Sequence, residues 1–176
     1  MNGGGHRRWR LVASVVAGCL VALAVATAVL FVWPSTDQPR PADAIVVLGG
    51  DGARLATGVA LVREGIAPTL AVSVGSLYDP CFRQHEPFTL ICFRAQPLTT
   101  QGEARWLAAA AKAMGWHNVL VVVSKPQATR ARVRIRRCYR GNLQVVAVHV
   151  GVRRTLADAV YEWAALLKAE TVQRGC

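Results

Sequence analysis

The residues best equipped for chemistry are Gly49, Gly50, Asp51, Gly52 and Arg54, which follow directly on the apolar run at residues 44–48. Glycines in such a turn leave backbone N–H groups open to an anion, and a helix opening behind the turn adds the positive end of its dipole. Arg54 would contribute a full charge. The spacing is not that of a dinucleotide fingerprint, because the third glycine of Gly-x-Gly-x-x-Gly would fall at Leu55. Asp51 has two readings, binding a hydroxyl or a cation, or capping the following helix. The whole stretch also reads as a simple tight turn.

A second set lies in Ser124-Lys-Pro-Gln-Ala-Thr-Arg130 and the residues after it. Arg130, Arg134 and Arg137 recur at steps of four and three on one predicted helical face, while Ala131, Ile135 and Cys138 line another that can pack on a sheet. Arg130 falls in the first turn, where a cation opposes the helix dipole. A base tolerated there points to an anion nearby. Ser124, Lys125 and Gln127 are placed to complete such a site, while Arg132, Arg136 and Arg137 read as solvated or membrane-facing. Ser124 has no histidine partner within sequence reach, which argues against a hydrolase triad.

Thr100 and Glu103 match the Thr-x-x-Glu capping box, which structure alone would explain. Their position after a predicted third strand also puts Glu103 on the same rim as Asp51, so these two are the candidate carboxylates for acid or base work. Ser73 and Gly75 belong to a second turn of small residues that could donate to the same ligand. His6, His85, His117 and His149 show no metal-ligand spacing and read as structural, and Tyr161 and Trp163 read as packing. No cofactor is specified by any motif.

These residues need elements to position them. Residues 43–48 predict a buried strand and residues 55–64 a helix ended by Gly65. Strands follow at 69–74, 88–93, 118–123 and 143–150. They alternate with helices from 98 to about 114, through 139, and from 155 to about 169. Alternation of this kind predicts an α/β domain with a mainly parallel five-stranded sheet covered on both faces. Ligands of such sheets bind at the carboxyl ends of the strands, where the turns named above lie.

Residues 11–33 carry no charge, and 23 residues at about 1.5 Å each exceed the roughly 30 Å of bilayer hydrocarbon. This predicts an uncleaved transmembrane helix. A cleaved signal peptide has a shorter apolar region, and the Ala-x-Ala candidates here lie inside the run; a lipoprotein box at Val16-Ala-Gly-Cys19 is followed by further apolar sequence. Arg7, Arg8 and Arg10 precede the span, which predicts a cytoplasmic tail at residues 1–10 and an extracytoplasmic chain after it. Residues 34–42, with Pro39 and Pro41, read as a short stiff spacer before a domain at 43–170.

The basic residues number 21 against 10 acids, a formal charge of +11. Removing Arg7, Arg8 and Arg10 leaves +8 on the remainder, a charge suited to phosphates or anionic lipid. With 18 Arg and only 3 Lys, the excess also reads as compositional drift. The predicted compartment, and the want of a stacking platform beside the bases, argue against nucleic acid. Oxidising surroundings favour disulfides, and Cys81 and Cys92 flank a polar excursion that a bridge would stabilise by about 2 to 3 kcal/mol. Cys138 and Cys176 could pair or stay free. A zinc site at Cys81, His85 and Cys92 lacks the usual paired spacing.

Taken in order, Ala-Asp-Ala-Ile-Val-Val-Leu-Gly-Gly, Arg54, Gly65-x-Ala-Pro68, Ser73-x-Gly75, Thr100-x-x-Glu103-Ala104 and Ser124 before Arg130-Ala131 resemble the ElyC/SanA/YdcF-like bacterial domain family. The resemblance covers residues 43–167. It implies a Rossmann-like three-layer αβα domain, often tethered by one amino-terminal helix, with a part in cell-wall or lipid-carrier physiology. One departure stands out: family members commonly carry Ser-x-x-His before the Arg-Ala pair, and this chain has Gln127, which hydrogen-bonds but cannot shuttle a proton near neutral pH.

Three functions follow as expectations. The first is a membrane-tethered domain that binds and acts on an anionic phosphate-bearing envelope molecule, with Arg54, Lys125 and Arg130 as counter-charges. The second is a non-catalytic envelope scaffold or regulator. The third, a nucleotide or S-adenosylmethionine binder, rests on fold analogy alone.

Overall fold

The protein is described by a computed structural model covering residues 3–49, 52–76, 81 and 87–176. Helix α1 (Gly3–Thr27) continues through a π-helical turn at Ala28–Val32 and leads to β1 (Ala44–Val47). Then come α2 (Gly52–Arg63), β2 (Thr69–Ser73), β3 (Thr89–Phe93), α3 (Thr100–Met114) and β4 (Asn118–Ser124). A 3-10 turn (Lys125–Gln127), α4 (Ala128–Cys138), β5 (Asn142–Val148) and α5 (Val152–Thr171) complete the chain.

The five strands form one sheet of order β3-β2-β1-β4-β5 in which every neighbouring pair is parallel. The order reverses at β1, so the crevice between the ends of β1 and β4 is the topological switch point where ligands of such folds lie. β1, β2 and β4 are nearly continuous runs of Ala, Ile, Leu and Val because both of their faces are covered. One core, around Val46, Val121, Leu107 and Ile135, lies under α3 and α4; the other, around Ile45, Val47, Leu70 and Val122, lies under α2. Gly58 lets α2 lie flush on the sheet, since a Cβ there would come within 2.5 Å of Val47 Cγ2.

Two departures from the sequence expectation concern what lies around the sheet. Residues 34–42 are not a free spacer. Asp37 donates its N–H to the Val145 carbonyl (2.9 Å) and accepts the Val145 N–H on Oδ2 (2.8 Å), Arg40 exchanges bonds with Gln144, and Ala42 donates to Ile66 (2.8 Å). The segment thereby covers the unpaired edge of β5, which would otherwise offer a template for another strand. Arg132, expected to be solvated, pairs with Asp37 at 2.8 Å and holds the cover in place.

The end of the apolar helix is also docked. Residues 7–32 are long and apolar enough to cross a membrane and are almost wholly exposed. Only the last turns meet the domain. Phe31 is fully buried with its ring edge-on to Trp163 (5.3 Å), Thr27 accepts the Trp163 indole N–H (3.0 Å), and the Leu30 carbonyl accepts the Thr129 hydroxyl (2.6 Å). Trp163 thus fastens the apolar helix to α5 as well as packing.

Two disulfides are present. Cys81 and Cys92 are joined (Cα–Cα 6.1 Å), so neither offers a thiolate to zinc, and His85 lies outside the described residues. Cys138 and Cys176 are joined as well (Cα–Cα 4.9 Å), which ties the C-terminal tail to the end of α4.

Candidate functional site

The carboxyl ends of β1, β2 and β4, the first turns of α3 and α4, and one side of α5 enclose a cavity of about 540 Å³. Each wall arises from a local feature of the sequence. Gly49 ends β1 at φ +55°, and a Cβ there would lie 3.1 Å from Arg54 Nη1, so glycine is needed both for the turn and for the approach of the arginine. Arg54, in the first turn of α2, reaches across the switch point and donates to Gln127 Oε1 at 3.1 Å.

Glu103 is the carboxylate of the cavity, and the capping box expected with Thr100 does not form. Helix α3 starts one residue earlier than that pattern requires: the cap is Thr99, whose hydroxyl accepts the Gly102 N–H (3.3 Å). Glu103 is therefore released from helix duty and turns toward the strand ends. Its Oε1 accepts the Gly49 N–H at 2.9 Å, and the Ser73 hydroxyl bonds the same carboxylate. Glu103 is only 8% exposed, and burial raises its pKa above the ordinary 4.5 against the opposing pull of Ser73, Gly49, Arg130 and Arg54. A carboxyl with these opposed influences can hold or release a proton close to a bound ligand.

Arg130 enters from the first turn of α4, but its main partner is a side chain the sequence reading did not single out. Glu162 of α5, 2% exposed, takes Nε at 2.7 Å and Nη2 at 2.8 Å, while Nη1 donates to Thr100 Oγ1 at 2.8 Å. The anion implied by a base at that helix position is thus built into the protein. Burial depresses the Arg130 pKa, but the Glu162 bonds and charge, with Tyr161 and Glu103, outweigh it and hold the pKa above the ordinary arginine value. Tyr161 lies over the same guanidinium at 5.8 Å and forms part of the cavity wall.

One turn on, Arg134 is 5% exposed and also lines the cavity. It donates to the carbonyl (2.5 Å) and side-chain oxygen (2.6 Å) of Gln173, both neutral acceptors. Burial and the neighbouring Arg137 and Arg130 push its pKa below the ordinary arginine value. Lys168 of α5 adds a fourth cation to the wall. Among the described lining residues, Arg54, Arg130, Arg134 and Lys168 stand against one acid, Glu103, and Glu162 on α5 offsets Arg130. The described lining is cationic on balance.

Of the residues expected at a site, Gly49, Arg54, Ser73, Gly75, Thr100, Glu103, Gln127 and Arg130 line this cavity together. Gly52, Ser124 and Lys125 do not, and Gly50 and Asp51 lie outside the described residues. Lys125 is excluded because the 3-10 turn it opens carries Gln127 inward instead. Arg137, expected to be solvated or membrane-facing, pairs with Glu170 at 2.7 Å and donates to the Ala169 carbonyl at 2.6 Å. Among the described residues no group of three His, Cys, Asp or Glu side chains gathers as a metal site.

The fold and site define a Rossmann-like α/β domain with a cationic cavity at its switch point, joined to one helix able to span a bilayer. No protein-family model, curated protein or solved structure matches the chain.

Proposed function

We propose that this chain is a membrane-anchored, extracytoplasmic domain that binds an anionic phosphate-bearing molecule in the cavity and acts on it through Glu103. One observation carries the reading. Arg54 from α2, Arg130 and Arg134 from α4 and Lys168 from α5, four cations from three separate helices, line the space into which the Glu103 carboxylate faces. A pocket of this charge suits a doubly charged oxyanion, with Arg54 and Lys168 approaching phosphate oxygens and Glu103 exchanging a proton with a hydroxyl beside them. Arg130 is a wall-builder in this scheme, since Glu162 already satisfies its charge.

The ordered resemblance to the ElyC/SanA/YdcF-like family supports an envelope setting and a wall-precursor or lipid-carrier ligand. Arg7, Arg8 and Arg10 before the span support the outward orientation. At the position where members of that family carry histidine, Gln127 accepts a hydrogen bond from Arg54, which supports a residue that fixes the cation instead of moving a proton. The scaffold reading draws on that exchange and on the Arg130–Glu162 pair, which would hold the fold with no ligand at all.

Native mass spectrometry of the full chain released from detergent separates the two. The proposal expects a phosphate-bearing adduct on the native protein that is lost in Arg54→Ala. Protein without an adduct, unchanged by added pyrophosphate, would favour the scaffold.

A further inference from the structure

The position of the cavity relative to the anchor points to where its ligand comes from. From Leu11, the first residue after Arg10, about 20 residues at 1.5 Å each cross the roughly 30 Å hydrocarbon layer, which brings its boundary to about Leu30. Thr27 and Phe31, the residues bonded to and packed on Trp163, flank that boundary. Trp163, in the middle of α5, therefore lies close to that boundary.

The outward side of α5 suits that position. Glu162, Ala159 and Ala169 face the domain. Trp163 marks the anchor side of the helix, and Tyr161, Ala165 and Lys168 mark the cavity side. Between these two sides run Ala157, Val160, Ala164 and Leu167, all exposed, with Val160 at 77% and Leu167 at 56%. A stripe without charge, bordered by Trp, Tyr and Lys and continuous with an apolar span, has the composition of a helix lying in the membrane interface. The exposed cavity-lining residues Leu98, Tyr161 and Lys168 mark the mouth, so the mouth adjoins this stripe.

We propose that α5 rests in the bilayer surface through Val160 and Leu167, and that the cavity takes the phosphate headgroup of a lipid directly from that leaflet. The membrane contact stands on the anchor geometry alone; the identity of the ligand class rests on the proposed function and narrows it. Tyr161 and Leu98 would meet the first apolar part of the lipid while Arg54 and Arg134 hold its phosphate. The acyl or prenyl chain stays in the bilayer, which agrees with a cavity of only about 540 Å³.

Two measurements on the full chain in phosphatidylcholine nanodiscs test this. The first places a benzophenone side chain at position 167 or, as control, at position 114, exposed at the opposite end of the sheet. The proposal expects position 167 to crosslink lipid at least tenfold more than position 114. Crosslinking to a second copy of the chain, or at the control level, overturns it.

The second compares phosphatidate in the nanodisc with inorganic pyrophosphate in solution. V160S with L167S, both outside the cavity, should weaken the phosphatidate response at least tenfold and leave pyrophosphate binding unchanged. If both responses survive that pair of changes, delivery from the membrane is refuted while the cavity reading stands. If Arg54→Ala leaves both responses intact, the cavity reading itself is refuted, and a lipid crosslink at 167 would then show membrane contact without headgroup binding.

Discussion

Arg130 and Glu162 lie 32 residues apart and meet through two parallel bonds, Nε to Oε2 at 2.7 Å and Nη2 to Oε1 at 2.8 Å, in the interior between α4 and α5. The pair fixes α5 against the rest of the domain and so sets the wall of the cavity. Removing one partner leaves the other charge buried and alone, at a cost of about 3–5 kcal/mol. Arg130→Ala and Glu162→Ala should each lose that much in chemical denaturation. Arg130→Met with Glu162→Leu should recover most of it. Destabilisation by the double change equal to the sum of the two single ones would mean that the two groups are not coupled.

Glu103 should be a residue kept at the expense of stability. Its pKa is raised on folding, so the folded protein binds a proton more tightly than the unfolded chain, and stability falls as pH rises from 4.5 through the raised value. Glu103→Gln keeps an acceptor for the Gly49 N–H and abolishes that slope. Its melting temperature should exceed that of the native protein at pH 7.5, with the advantage vanishing below pH 4. A lower melting temperature at pH 7.5 would show the carboxylate to be structural. Turnover, where measured, should be lost in the same variant.

The segment over β5 should loosen in acid. Burial works to raise the Asp37 pKa but is outweighed by the Val145 N–H and the Arg132 guanidinium, which hold it below 3.8. Its contribution is therefore complete above pH 3.8 and is lost as pH falls through the lowered folded value. Asp37 is partly exposed, so the global effect of Asp37→Asn should stay under about 1 kcal/mol. The local effect should be larger: amide exchange at Val145 should accelerate in Asp37→Asn and, in the native protein, as pH drops below 3.8, after correction for the intrinsic rate. Unchanged protection would place the edge cover elsewhere.

The Cys138–Cys176 bridge should matter to the cavity as well as to the fold. It closes a separation of 38 residues, for which the chain-entropy account gives about 3 to 4 kcal/mol. The tail it fixes carries Gln173, the acceptor of Arg134, and ends with the Cys176 carbonyl accepting from Arg105 at 2.8 Å. Cys176→Ser should lower the melting temperature and also weaken anion binding, because Arg134 loses the acceptors that aim it. Loss of stability without loss of binding would remove Arg134 from the site.

Much of the frame was legible in the sequence. Apolar runs and the helical spacings between them place all five strands within a residue or two, and Gly49 after β1 does sit at the switch point. The errors share a physical origin. Thr99 and Thr100 are adjacent, equally good caps, and a one-residue difference decides whether Glu103 bonds its own helix or faces the cavity. Glu162 lies in an alanine-rich amphipathic pattern where an acid normally faces water, and only its partner on α4 explains its burial. Phe31 and Asp37 belong to segments whose composition suits a span and a spacer, so docking depends on surfaces formed elsewhere in the chain.

An oxyanion bound by Arg54 at the switch point is what the proposed function requires above all. Calorimetric titration of the detergent-solubilised full chain with pyrophosphate tests it directly, at two salt concentrations. Saturable one-to-one binding that weakens with salt, and that drops at least tenfold in Arg54→Ala while the melting temperature changes little, is the predicted result. Binding of equal strength in Arg54→Ala, or no saturable heat in the native protein, would contradict it.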